Sequence, residues 1–238
     1  MELNRIYNYD CYTGMEEMVR EGMKVDLILT DPPYLLDGKG QPKGSEINAR
    51  MKRLQGELSE IANDFDYERA FGLFLQLQNA ANMLIFCSNK QISRTMRYFE
   101  ELGLSVTLLV WNKINPIPAC KNKYLSDVEF IVYVRGKGVN MNTSTTPYDY
   151  KRKVFRSKIY QEKDKFHPTQ KNLEHLSQLI RLHCKERGLV FDPFMGSGST
   201  AIAAINTKRD FLGFEINKEY YDKSNARIKA YSNNLSLF

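Results

Sequence analysis

Seven short runs of β-branched and aromatic residues recur along this chain, each followed by turn residues or an amphipathic stretch, and that rhythm is what most limits the fold. The runs are residues 4–9, 25–30, 82–87, 104–111, 127–135, 188–192 and 210–215. Segments with helical spacing of apolar residues, near 14–22, 67–80, 90–102, 170–186, 199–207 and 217–231, separate most of them. Strands joined by helices return to the sheet as crossovers, so the pattern predicts a mainly parallel seven-stranded α/β sheet with helices on both faces. One pair departs from it. Between 104–111 and 127–135 stands only WNKINPIPACKNKYLSD, which has no helical period, so one antiparallel strand is expected there.

A chain of 238 residues can bury a sufficient core as one domain spanning 1–238. No apolar run is long enough to span a bilayer, and the opening MELNRIYNYDCYTGM lacks the basic-then-apolar pattern of a leader, so no membrane partner and a cytoplasmic location are expected. Cys11, Cys87, Cys120 and Cys184 are scattered, with no C-x-x-C pair and no histidine cluster. They read as reduced thiols and signal no metal. The net charge of +6 suits a polyanionic partner but decides nothing alone. Two stretches fall outside the core rhythm. Residues 36–62 open with Gly, Pro and Lys and read as a mobile loop, whereas 136–166 are polar and basic with Tyr148, Tyr150, Phe155 and Tyr160 interleaved.

Two motifs carry chemistry. In GLVFDPFMGSGSTAIAAINT an apolar strand ends at Asp192, a turn of small residues follows at Gly196, Ser197 and Gly198, and a helical pattern starts near Ser199. Glycine permits a tight backbone and close ligand approach, and the helix start offers free N–H groups, so this is a ligand-binding crevice. Roughly eighteen residues on, DFLGFEIN ends with Glu215, placed to accept hydrogen bonds from ribose hydroxyls. Position 201 is Ala where a dinucleotide fingerprint prefers a third Gly. The motif alone leaves a nucleotide and S-adenosylmethionine both open.

The second motif is Asp31-Pro32-Pro33-Tyr34, at the end of the strand VDLILT. A base amine is a poor nucleophile because its lone pair is delocalised into the ring. Asp31 and the Pro32 carbonyl can accept hydrogen bonds from such an amine, and neither proline has an N–H to compete. Tyr34 offers a stacking face worth ~1–3 kcal/mol to a base taken out of its helix. A proline-stiffened turn with a packed tyrosine is the plainer reading, but it gives no reason for an acid and an aromatic at a strand end.

Together DPPY at 31–34, DPFMGSGST at 192–200 and HPTQK at 167–171 resemble the amino-methyltransferases of bacterial and phage DNA modification. The tetrapeptide precedes the glycine turn, as in the circularly permuted beta group of that family. The resemblance implies a Rossmann-like class I methyltransferase fold and S-adenosylmethionine as cofactor. It assigns Asp31, Pro32, Pro33 and Tyr34 to catalysis. Around the donor it places Asp10, Cys11, Asp31, Asp192, Phe194, Gly196, Ser197, Gly198, Ser199, Thr200, Glu215 and Ile216, with Thr169 and Lys171 reaching the methionine carboxylate. Asn172 replaces the usual proline after that lysine. A plainer role for Thr169 is to cap the helix over 170–186. Trp111, in a strand, is expected in the core.

Asp rather than Ser at position 31 tips the implied target to N6 of adenine, with N4 of cytosine and an RNA adenine as alternatives. In the permuted order, 136–166 becomes the target-reading insertion. Lys151, Arg152, Lys153, Arg156 and Lys158, with Lys39 and Lys43 of the 36–62 loop, would contact phosphates of duplex DNA. A solvated surface insertion is the plainer reading of those cations. The resemblance also admits a cognate restriction endonuclease and a homodimer. A dinucleotide oxidoreductase would share the crevice but not explain DPPY or HPTQK, and a DNA-binding module without catalysis would not need Asp31.

Overall fold

The computed structural model describes residues 1–33, 65–116, 124–159 and 170–235. These carry eight strands: β1 (Arg5–Tyr7), β2 (Leu27–Thr30), β3 (Asn82–Cys87), β4 (Ser105–Lys113), β5 (Val128–Arg135), β6 (Val154–Ser157), β7 (Leu189–Asp192) and β8 (Asp210–Phe214). Six helices accompany them: α1 (Cys11–Arg20), α2 (Tyr67–Gln76), α3 (Ile92–Glu101), α4 (Leu173–His183), α5 (Ser199–Asn206) and α6 (Lys218–Leu235). These strands join one sheet in the order β1-β8-β7-β2-β3-β5-β4-β6. Among them, only β5 runs antiparallel to its neighbours, β3 and β4.

The predicted architecture is therefore present, with one strand more than expected. The eighth, β6, lies in the polar stretch 136–166 and pairs in parallel with β4 through Val110↔Val154 to Lys113↔Ser157. Its sequence VFRS buries only Phe155, so a strand with one inward side chain at a sheet edge leaves almost no apolar signal. The 36–62 loop, with Lys39 and Lys43, lies outside the described residues, as do Tyr34, Thr169 and Cys120.

The central strands are buried on both faces, as a sheet covered by helices requires. Along β2, Ile28 points into the core formed with Met15, Met18, Phe71, Phe74 and Phe99, and so lies under α1, α2 and α3. Leu27 and Leu29 point the other way, against Leu176, Leu179, Ile180, Ala201 and Ala204 of α4 and α5. Trp111 is in this second core, as expected of an aromatic in a strand.

Three helix starts are set by short polar side chains. Asp10 caps α1 by accepting from Thr13 N at 2.9 Å, and Asp66 caps α2 through Arg69 N at 3.1 Å. Helix α4 begins later than 170, and its cap is Asn172, which accepts from His175 N at 3.0 Å; Thr169 is too far upstream for that role. The asparagine that replaces the family's proline thus has its own structural task.

The strand order reverses between β7 and β2. From β2 the chain proceeds through α2 to β3 on one side, and from β7 through α5 to β8 on the other. Helices leaving in opposite directions cannot cover the carboxyl ends of β2 and β7, so a crevice opens there. Both motifs end at that crevice.

Candidate active site

The two halves of the crevice are tied by one side chain. Thr30, last residue of β2, donates its hydroxyl to Asp192 Oδ1 at 2.8 Å, and Asp192 is the last residue of β7. Asp192 also accepts from Thr200 Oγ1 at 2.7 Å and from Phe194 N at 3.1 Å. Burial pushes its carboxyl up to about 6 against these three hydrogen bonds, and the carboxylate of Asp31 pushes in the same direction. Asp31 directly follows Thr30, so the two acids stand at the ends of the adjacent, paired strands β2 and β7. With three internal donors, Asp192 shapes the glycine turn from beneath.

That turn needs its glycines. Gly196 and Gly198 have φ of 51° and 74°, the left-handed region where a side chain is strained. Gly198 is the residue before α5, and Ser224 and Ile228 of α6 would lie 3.3 and 3.2 Å from a Cβ built on it. Arg227 of α6 donates to the Ser197 carbonyl at 2.9 Å and to Ser199 Oγ at 3.0 Å, so α6 supports the turn from outside. Sequence reasoning missed both this arginine and Gly213. A Cβ at 213 would stand 2.2 Å from Met195 Cε and 2.6 Å from the Asp192 carbonyl oxygen, because the turn folds directly over β8. The only sequence signal for it was a glycine inside an apolar strand.

Glu215 follows β8 at the same end of the sheet. Its Oε2 accepts from Gly196 N and its Oε1 from Asn217 N, both at 2.8 Å, and burial raises its pKa against those bonds. Each oxygen keeps a second lone pair, which fits a ribose diol. Asn8 donates to the carbonyls of Glu215 and Ile216 at 2.8 and 3.0 Å, holding β1 and its following Asp10 beside that loop. Cys11 is buried at the start of α1, whereas Ile216 is exposed. Phe194 meets Phe65 edge-on at 5.2 Å between centroids, and Phe65 stacks on Tyr12, giving this side an aromatic wall. Two left-handed glycines, an acid with spare acceptor capacity and an aromatic wall fit an adenosine-bearing donor.

The other half is built of charge. Lys171 Nζ lies 2.9 Å from Asp31 Oδ2 and 2.7 Å from Glu129 Oε2, and Lys113 Nζ lies 2.7 Å from Glu129 Oε1. The row Asp31, Lys171, Glu129, Lys113 alternates in sign, as charge withdrawn from water demands, with Lys171 buried and the other three partly buried. Burial disfavours the charged form of Glu129, yet the ammonium groups of Lys171 and Lys113 hold its pKa down at about 2. Burial likewise works against the charge of Lys171, and Asp31 and Glu129 overcome it, raising its pKa. Sequence reasoning named Asp31 and Lys171 separately. The structure brings them into direct contact and adds Glu129 and Lys113, for which a strand-end acid and lysine gave no distinguishing signal.

The described thiols belong to the core. Cys11, Cys87 and Cys184 are free and buried, and burial pushes each up to about 12, which leaves them protonated. Lys151, Arg152, Lys153, Arg156 and Lys158 are all exposed, on the 3-10 turn Tyr148–Lys151, on β6 and beside them.

The family model described as DNA methylase, of the N6/N4 type, matches residues 25–226. The Type II methyltransferase M2.LlaDCHI of Lactococcus lactis subsp. cremoris is 27% identical, over 92% of this chain and 87% of its own length. The crystal structure of the M1.HpyAVI–SAM complex is 29% identical with a TM-score of 0.70, covering 94% of this chain and 98% of that one. The PvuII cytosine-N4-specific DNA methyltransferase shares the fold at a TM-score of 0.66 and 18% identity, covering 92% of this chain and 84% of that one. With the family model matched over most of its length, and with Asp31, Pro32 and Pro33, the glycine turn and the reversal of strand order meeting at one crevice, the chain belongs to the N6/N4 DNA methylase family.

Proposed function

We propose that this chain transfers the methyl group of S-adenosylmethionine to N6 of adenine in duplex DNA. The observation that carries the reading is the Thr30–Asp192 bond, which joins the strand that leads into Asp31 to the strand that leads into the glycine turn. Glu215 holds the donor's ribose, Phe194 with the turn 196–199 lines its nucleoside, and Asp10 and Cys11 close that end. When bound, the donor supplies an electrophilic methyl on a sulfonium sulfur.

The chain supplies orientation and acceptors. Asp31 and the Pro32 carbonyl accept hydrogen bonds from the amine, drawing the nitrogen lone pair out of the ring toward the methyl; as the N–C bond forms the sulfur leaves as a neutral thioether, and the methylated amine then gives up one proton. Lys171 pins one oxygen of Asp31 and so fixes the direction from which the carboxylate meets the amine. Tyr34 stacks on the base, which must leave its helix to reach the crevice. The resemblance assigns Thr169, two residues before Lys171 in the sequence, to the donor's methionine end. The exposed cations from Lys151 to Lys158, with Lys39 and Lys43, track the phosphates, and the aromatic stretch 136–166 reads the target.

Asp at position 31 supports adenine over cytosine N4, and the fold, which the PvuII enzyme shares, leaves that choice to the site. Similarity to Type II methyltransferases supports a cytoplasmic enzyme with a cognate restriction endonuclease as functional partner, and a short recognition insertion supports a homodimer on the target. Expression in a methylation-free bacterial host, followed by single-molecule sequencing, tests the reading. N6-methyladenine in one sequence context is expected. N4-methylcytosine, or methyl groups in RNA alone, would overturn the target assignment.

A further inference from the structure

We propose that Tyr67 and Gln91 are positioning residues for methyl transfer, acting through the carbonyl of Pro33. The inference rests on the reading of residues 31–34 as the site of the target amine. A Pro-Pro segment has no N–H to donate, so its backbone can be anchored only through its carbonyl oxygens. The Pro33 carbonyl is anchored twice. Tyr67 donates its hydroxyl to it at 2.5 Å, and Gln91 Nε2 donates at 3.0 Å.

The anchor is itself closed. Gln91 Nε2 gives its second hydrogen to the Tyr67 hydroxyl at 2.5 Å, while Gln91 Oε1 accepts from Ser88 N at 2.9 Å and from Ser88 Oγ at 2.6 Å. The amide thereby uses both donors and both lone pairs, and the carbonyl uses both of its lone pairs. Tyr67 and Gln91 are 3% and 2% exposed, so water does not compete. The ring of Tyr67 is held edge-on by Phe65 at 4.6 Å and covered by the Arg94 guanidinium at 5.3 Å.

This cluster sits at the start of α2 and the start of α3. Its backbone target within the tetrapeptide is the peptide between Pro33 and Tyr34. Fixing the Pro33 carbonyl sets where the Pro32 carbonyl stands relative to Asp31. A displacement near 1 Å in a positioning group costs about 100-fold in rate.

Two variants separate positioning from mere support. Tyr67→Phe removes one donor and keeps the ring. Gln91→Glu keeps the Ser88 contacts but offers the Tyr67 hydroxyl a carboxylate, stripping both donors from Pro33. Single-turnover methylation of genomic DNA from a methylation-free host, donor affinity by titration, and melting temperature are measured for parent, both variants and Asp31→Ala. The expected result is a rate loss of about 10-fold for Tyr67→Phe and about 100-fold for Gln91→Glu, with donor affinity kept. Rates near the parent's in both variants, or rate losses matched by equal losses of donor affinity, would overturn the proposal. Should Gln91→Glu not fold, Tyr67→Phe decides alone. Full activity in Asp31→Ala would instead overturn the underlying reading, so the two failures are distinguishable.

Discussion

The two walls of the crevice are assembled in different ways. The wall proposed to hold the donor is nearly continuous in sequence: Asp192 to Thr200 form the strand end, the turn and the helix start, and Glu215 follows one strand later. The target wall is gathered from distant segments, with Asp31 after β2, Glu129 in β5, Lys113 in β4, Lys171 before α4, and Tyr67 and Gln91 at two helix starts. A wall made locally is held by backbone conformation. A wall gathered from afar is held by paired charge and buried hydrogen bonds, and it is correspondingly sensitive to loss of one partner.

Removing one charge from the target wall should have the largest effect on stability. Glu129→Ala leaves Lys171 and Lys113 short of a counter-ion; breaking a fully buried pair costs about 3–5 kcal/mol, and with Glu129 and Lys113 partly exposed the loss falls at the lower end of that range. Denaturant unfolding should register that loss while donor affinity changes little; a variant as stable as the parent would mean that the charge row is not buried in solution.

Acid should act next, on the two histidines of α4 and on Asp192 in opposite directions. His175, between Trp111 and Phe155, and His183, against Tyr133, are pushed down to about 4 by burial. The unfolded chain binds their protons first, so the stability they contribute is present above the ordinary histidine value of about 6.5 and is lost as pH falls through 4. Asp192 runs the opposite way: raised to about 6, its contribution is complete below 3.8 and is lost as pH rises through 6. A tenfold change in proton affinity is worth about 1.4 kcal/mol, so each histidine supplies up to about 3 kcal/mol of acid sensitivity. Melting temperatures between pH 6.5 and 4 should fall less steeply in His175→Phe/His183→Phe than in the parent, and identical slopes would refute the assignment.

On the donor wall, Gly213→Ala forces a methyl against the Asp192 carbonyl. Overpacking of this kind costs about 1–3 kcal/mol. Because the turn above it must shift, donor affinity should drop in titrations, in contrast to Glu129→Ala. The smallest effect belongs to the tie between the walls. Thr30→Val removes one of three donors to Asp192 at a cost of about 1 kcal/mol. It should lower the methylation rate more than donor affinity, and equal loss of both would deny it a coupling role.

The same contrast explains what could be read from the sequence. Alternating strands and helices specified the sheet, and the antiparallel β5 followed from the helix-free connection before it. The donor wall was legible because glycines at a strand end have few other uses. Tyr67, Gln91, Glu129 and Lys113 were not, since a tyrosine, an amide and two charges at element ends are common everywhere and only tertiary contact gives them meaning. β6 was hidden by its single buried side chain. Gly213 was within view, but the need for it lies in Met195 folding over β8.

The central claim is that Asp31 acts on the target amine while the donor is held by the opposite wall. Its most direct test is tritiated methyl transfer to DNA by Asp31→Ala, paired with titration of donor affinity on the same protein. The account predicts that labelling falls by at least about 100-fold, as expected on losing a polar group that acts in the transition state, while the donor binds about as tightly as before. Labelling at the parent rate would contradict it.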